Sequence, residues 1–357
     1  MRASLLKILY LTAVLPLTGR CGSSEQPLPA VVHKPDTLSM FVIGDVMSHT
    51  PQLSCDCNTF FQHIRHSIET ADLAVANMEF PLGGEPYTGY PRFSGPDRYA
   101  DYMASIGTDI FLTANNHILD KGKRGLVRTL DRYRSMGDSV KFTGAAGNER
   151  ERNSLYPLII DAKGIRLALI NFTYDTNGIL VSGWPNTNYM DSTDVAAAIH
   201  RAKVQEADFI MAFPHWGEEY HIIHSAEQER WAEWMVRQGV DIIVGGHPHS
   251  VQDSSHIGSV PVIYSLGNAV SNQSQPGTQL ELSATLRFVR CGERCSMLEP
   301  ELRYMWCSRP GGLGDSYYTI FVDEWLGRRD EWTGKGDYDN MVSTWERIRK
   351  KSGVKAE

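Results

Sequence analysis

The sequence is short of positive charge: 35 Lys and Arg stand against 42 Asp and Glu in 357 residues, a formal net charge of -7. Nucleic-acid backbones are bound through clustered Lys and Arg, so this balance argues against a nucleic-acid partner. The one basic run, from Arg347 to Lys351, reads as the solvated face of a helix near the C-terminus. Long apolar runs are also lacking. The apolar stretch Ile8 to Thr18 follows Arg2 and Lys7 and is too short to span a bilayer, so residues 1–20 read as an export leader. No later segment is long and apolar enough to cross a membrane, and no internal repeat or low-complexity array is present.

Cysteine is sparse, with six residues: Cys21, Cys55, Cys57, Cys291, Cys295 and Cys307. Cys21 stands where a lipoprotein's acylated cysteine would stand, after Leu17-Thr18-Gly19, a lipobox displaced by one residue. Arg20 departs from the small residue usual there, and simple cleavage or a retained anchor are the alternatives to lipidation at Cys21. With Cys21 acylated the remaining count is odd, which forbids complete pairing within the chain. Cys291 and Cys295 flank Gly-Glu-Arg between strand-like runs, so a bridge across that turn is expected in an oxidising compartment. Cys55 and Cys57 match half of a zinc motif only weakly and carry no assigned chemistry.

What is present is an ordinary globular composition, 42% hydrophobic and 22% charged, with a regular alternation of strand-like and helix-like segments. Residues 21–37, rich in Ser, Pro and Gln, read as a tether. From Leu38 the pattern predicts strands at Ser39–Ile43, Leu73–Ala76, Ile110–Ala114, Ile165–Asn171, Phe209–Phe213, Ile242–Val244 and Val262–Ser265. Helices are expected at 60–69, 98–106, 125–136, 195–204 and 226–238, between those strands. This is an α/β pattern, running from residue 38 to 275. Residues 276–357 change to alternating strands and a last helix, which complete or cover the sandwich rather than supply chemistry.

The polar residues fall in one kind of place. Asp45, Glu79, Asn116, His215 and His247 each stand just beyond the C-terminal end of a predicted strand, the edge at which open α/β sheets gather ligands. Imidazoles, a side-chain amide and carboxylates, one of them able to bridge, are the donor set that two adjacent divalent ions require. His247-Pro248-His249 follows a Gly-Gly turn, so its two imidazoles can face different ions and the glycines admit close backbone approach.

Six segments carry a family resemblance: Gly44-Asp45-Val46-Met47, Asn77-Met78-Glu79-Phe80-Pro81-Leu82, Ala114-Asn115-Asn116-His117 with Asp120-Lys121-Gly122, His215-Trp216-Gly217-Glu218-Glu219-Tyr220, Gly246-His247-Pro248-His249 with Gln252, and Tyr264-Ser265-Leu266-Gly267-Asn268. In order and spacing they resemble the motifs of the CapA family of capsule and poly-γ-glutamate synthesis proteins, from about Ser39 to Gln273. That family is similar in fold to calcineurin-like metallophosphoesterases, a four-layer α/β/β/α sandwich.

The resemblance implies two divalent ions, manganese, iron or zinc. Asp45 and His249 would bind the first, Glu79 would bridge in place of the more usual Asp, and Asn116, His215 and His247 would hold the second. Met47 stands where the pattern has a His two residues after the first Asp, and His49 is the candidate replacement. His117 matches the residue that assists the leaving group, with Asp120 orienting it. Glu219 is expected to accept from the free nitrogen of a ligating imidazole, Arg92 to contact an anionic substrate, and Asn115 to support the site. The expected activities are hydrolysis of a phosphoester, hydrolysis or transfer at an amide, or binding and export of a polyanionic envelope polymer together with other capsule synthesis components.

Overall fold

The computed structural model describes residues 36–356. The leader, Cys21 and most of the tether lie outside the described residues. The tether expected to reach residue 37 gives way to a strand already at Asp36.

One mixed sheet runs, edge to edge, through the strands Tyr318–Phe321, Glu301–Ser308, Leu280–Cys291, Asp36–Val46, Leu73–Met78, Ile110–Leu112 and Lys141–Thr143, with Arg294–Met297 paired beside Leu280–Cys291. Its last four strands along this path are parallel, and the C-terminal ones are antiparallel. A second sheet runs Ser254–Ile257, Val260–Ile263, Ile242–Val244, Phe209–His215, Ile165–Thr173, Leu158–Ala162, and its central four strands are parallel.

Strand residues alternate between faces, and here both faces are apolar. Leu38, Met40, Val42 and Val75 from the first sheet meet Leu167, Leu169, Met211 and Phe213 from the second in one inter-sheet core. The alternate residues Phe41, Ile43, Ala74 and Ala76 pack against helices Asp97–Ser105 and Gly122–Ser135 through Tyr99, Met103, Leu126 and Leu130. Ala168, Ile170, Ile210 and Ala212 do the same on the other side, against Ser192–Val204 and Ala226–Gln238. The result is the α/β/β/α sandwich that the sequence led us to expect. Helix Ala226–Gln238 shows how local sequence sets an element: Ser225 and Gln228 form a reciprocal capping box, and Gly239 ends it in the left-handed region at φ 99°.

Two features differ from the sequence reading. The helix expected at 60–69 is shorter, a single α segment at Arg65–Thr70 preceded by turns. Cys291 and Cys295 are free, because the hairpin pairs Cys291 with Arg294 and Arg290 with Cys295 and so turns the two thiols to opposite faces of the ribbon. The C-terminal strands extend the first sheet directly from Asp36–Val46, and Tyr338, Met341 and Ile348 of the final helix Lys335–Ser352 enter the inter-sheet core.

Candidate metal centre

The parallel strands of both sheets end at one edge, and a local irregularity there aims the first carboxylate. The register of Asp36–Val46 against Leu73–Met78 jumps between Ile43 and Asp45, making Gly44 a bulge. Ile43 and Val46 both pack on the helix-covered face and Val42 on the inter-sheet face, so the extra residue returns Asp45 to the inter-sheet side. Bulges re-aim side chains in this way beside functional sites. Gly44 donates its N–H to Glu281 Oε1 at 2.6 Å, a buried carboxyl from the C-terminal strand Leu280–Cys291.

Asp45, fully buried, accepts from Asn77 Nδ2 at 2.7 Å and from the His247 backbone N–H at 3.1 Å. The second contact depends on the Gly245-Gly246 turn: a Cβ on Gly246 would lie 2.8 Å from Asp45 Oδ1, and one on Gly245 would lie 2.1 Å from the Tyr264 carbonyl oxygen. His247 and His249 then take positive φ, 98° and 54°, a conformation uncommon outside glycine and concentrated where structure over-determines it.

Glu79 occupies the floor. It is fully buried, and neither carboxylate oxygen has a hydrogen-bond partner among the described residues. His215 Nε2 lies 3.6 Å and His249 Nε2 3.8 Å from its Oε1, and His249 Nδ1 lies 3.6 Å from Asp45 Oδ2. His247 Nδ1 is likewise buried and unpartnered. His215 Nε2 meets Asn116 Oδ1 at 2.9 Å, and His249 Nδ1 meets Asn268 Oδ1 at 2.9 Å. Three groups could hold a cation: Asp45 with Glu79 and His249; Glu79 with His215 and His247; and Glu219 with His247 and His249, the ligand atoms of each lying within 4.8 Å of one another.

The electrostatics fit a cation. Burial, reinforced by the charge of Glu79, pushes Asp45 up to about 7, and burial pushes Glu79 up to about 8. Burial pulls His215 down to about 4, His249 to about 3 and His247 well below its ordinary value, leaving neutral imidazoles with lone pairs to donate. A buried carboxyl without donors is costly, and a divalent ion relieves that cost.

These shifts predict how the metal-free protein responds to pH. The folded state holds protons on Asp45 and Glu79 that the unfolded chain has released, so their contribution falls as pH rises from about 4 to about 8. The depressed imidazoles act oppositely, but only below their unfolded value near 6.5. Between pH 6.5 and 8 the carboxyls act without that opposition. Denaturant melts in chelator are therefore expected to show stability falling across that window, whereas affinity for a divalent ion rises with pH.

His117 stands beside this floor. Its Nδ1 is 2.7 Å from Asp120 Oδ2, which also accepts the Phe93 backbone N–H at 2.7 Å. Burial disfavours the imidazolium, yet the hydrogen bond and charge of Asp120, with Glu79 and Glu219 beyond, outweigh it and hold His117 above its ordinary value. Nδ1 being engaged, Nε2 is the nitrogen left for chemistry. Asn115 is a strut: it donates to the Met78 carbonyl at 2.9 Å and to Asn77 Oδ1 at 3.2 Å, and accepts the His117 backbone N–H at 3.2 Å.

Not every expected residue converges. His49 joins none of the three groups; its Nδ1 is 3.1 Å from Gln52 Oε1, and its ring meets the Phe93 ring edge-on at 5.2 Å. Phe93 in turn meets His117 at 4.6 Å, which places His49 on the His117 side of the site. Met47 is wholly buried in the core against the helices. Arg92 is exposed, and its side chain makes no hydrogen bond or ion pair among the described residues. Asn77 and Asn268 bond Asp45 and His249, and Glu281 bonds the backbone of Gly44 beside Asp45, without having been singled out. The first two lay inside quoted motifs, and Asn77 stood two residues before Glu79 at the same strand end.

The family model for "Bacterial capsule synthesis protein PGA_cap" matches residues 39–273. The chain is 27% identical over 289 residues to the capsule biosynthesis protein CapA of Bacillus anthracis, covering 76% of this chain and 69% of that protein. It is 25% identical over 276 residues to the PGA biosynthesis protein CapA of Bacillus subtilis (strain 168), covering 72% and 69%. The crystal structure of the calcineurin-like phosphoesterase YfkN from Bacillus subtilis superimposes with a TM-score of 0.50 at 13% identity, covering 89% of this chain and 98% of that one, a likeness of fold. With its strand-end motifs and its sandwich both accounted for, and the match running over most of the folded chain, the protein belongs to the bacterial capsule synthesis protein PGA_cap family.

Proposed function

We propose that this chain is an exported, metal-dependent hydrolase of the phosphoesterase type that acts on an anionic polymer of the cell envelope during capsule or poly-γ-glutamate synthesis. The observation that carries the reading is Glu79, a buried carboxylate with no hydrogen-bond donor among the described residues, lying between the imidazoles of His215 and His249. Asp45, Glu79 and His249 would hold one divalent ion; Glu79, Asn116, His215 and His247 would hold a second, with manganese, iron and zinc all suited to these donors. When bound, such ions supply Lewis-acid polarisation of a phosphoryl oxygen and a water nucleophile at neutral pH.

The chain's own residues account for the rest. Water, having released one proton to solvent, adds its oxygen to phosphorus as the P–O bond to the leaving group breaks; His117 Nε2 delivers its proton to the departing oxygen and takes another from solvent afterwards, while Nδ1–H stays bonded to Asp120. The leader-like residues 1–20 and the position of Cys21 support a setting at the envelope, with a lipid on Cys21 as the anchor. The family membership and the relatives' capsule and PGA biosynthesis titles support the polymer context.

The test is hydrolysis of a panel of phosphomonoesters and phosphodiesters by protein reconstituted with Mn²⁺. Turnover in wild type that disappears in His247→Ala is expected; equal inactivity of both would overturn the reading. A second reading is a protein that binds and exports the polyanion without cleaving it. It is favoured by Met47, which leaves Asp45 without an imidazole two residues on. Retained polymer association and cellular function in ligand-deleted variants would select it.

A further inference from the structure

The absence of an imidazole after Asp45 poses a coordination problem, because Met47 lies in the core and His49 joins none of the groups that could hold a cation. The loop after His215 offers an answer. Trp216 donates its backbone N–H to the Gly246 carbonyl at 3.1 Å and its indole N–H to the Tyr264 carbonyl at 2.9 Å. Gly217, at φ 93°, sits so close to the capping-box residue Gln228 that a Cβ would fall 2.6 Å from its amide carbon. Tyr220, at φ 66°, donates its backbone N–H to the Pro248 carbonyl at 2.8 Å, the residue between the two imidazoles. Three anchors thus fix a short span, and Glu219 within it is exposed at the mouth.

Glu219 offers a carboxylate oxygen within 4.8 Å of ligand nitrogens of both His247 and His249. Those are the imidazoles that separately complete the two groups sharing Glu79 on the floor. The same span is therefore bracketed twice, by a buried carboxylate from below and an exposed one from the solvent side. A second observation points to a ligand here: His247 Nδ1 is buried with no hydrogen-bond partner among the described residues, and His247 belongs to the group that contains Glu219.

We propose that Glu219 is a metal ligand in its own right, closing the centre from the solvent side opposite Glu79 and supplying the donor that Met47 withholds. This inference rests on the metal-centre reading above. It replaces the role first expected of Glu219, acceptance of an imidazole N–H, and the two roles separate cleanly in Glu219→Gln. An amide keeps an acceptor oxygen, so hydrogen bonding to an imidazole survives, but it loses the anionic donor that hard cations prefer.

The experiment is calorimetric titration of the full metal-stripped chain with Mn²⁺, with electron paramagnetic resonance counting free ion. Wild type is expected to take up two ions per chain. Glu219→Gln is expected to bind one as wild type does and the other more than about 100-fold more weakly, beyond the roughly 10- to 100-fold loss typical when a group that only supports a ligand is removed. Glu218→Gln, on the exposed neighbour, is expected to bind both as wild type does. Wild-type affinity for both ions in Glu219→Gln overturns the inference and leaves the metal centre standing. Failure of wild type to bind Mn²⁺ at all overturns both.

Discussion

Glu79→Met is expected to abolish stoichiometric divalent-ion binding and, at pH 8 in chelator, to raise the stability of the metal-free protein by about 1 to 3 kcal/mol. The two effects have one cause. Glu79 is wholly buried and neither oxygen has a hydrogen-bond partner among the described residues, so in the absence of a cation its desolvation is uncompensated. Methionine fills a similar volume with no polar atom to desolvate. A residue retained for packing would lose stability when replaced; a ligand kept at the expense of the apo fold gains it. Urea melts of both proteins with and without Mn²⁺ separate these outcomes, and a destabilised metal-free variant would contradict the assignment of Glu79 as the floor of the site.

His117→Ala carries the largest expected effect on turnover that leaves the metals in place. Loss of a positioned general acid lowers kcat by about 10²- to 10⁴-fold, and His117 belongs to none of the groups that could hold a cation. Metal content is therefore expected to stay at the wild-type value while kcat falls. Asp120→Asn supplies the finer test. Asp120 holds the His117 imidazolium above its ordinary value despite burial, so removing its charge lowers that value. A general acid works only while protonated, and the alkaline limb of the kcat/KM profile is expected to move to lower pH. An unmoved limb would assign the proton to another group.

The α/β class was legible because buried strands alternate with amphipathic helices, four of which lie within a few residues of their expected spans, as Ala226–Gln238 illustrates, while the layering came from the family resemblance. The candidate site was legible because both sheets bring their strand ends to one edge, so Asp45, Glu79, Asn116, His215, His247 and His249 could be named before their distances were known. What remained hidden depends on contacts that no local pattern encodes. The bulge at Gly44 is invisible in the apolar run that contains it, and its partner Glu281 is 237 residues away. Glu281 sits in a strand of the part expected to lack chemistry, and there it supports the chain next to Asp45. His49 has the residue type of a ligand, but it stands on the His117 side of the site and joins none of the groups that could hold a cation. Cys291 and Cys295 are close in sequence, and only the hairpin register reveals that they face apart.

The most direct test is anomalous diffraction from crystals of the full chain grown with Mn²⁺. Two peaks are predicted, one in ligand contact with Asp45, Glu79 and His249, the other with Glu79, Asn116, His215 and His247. No peak at this strand edge, or ions bound only elsewhere on the surface, would contradict the account.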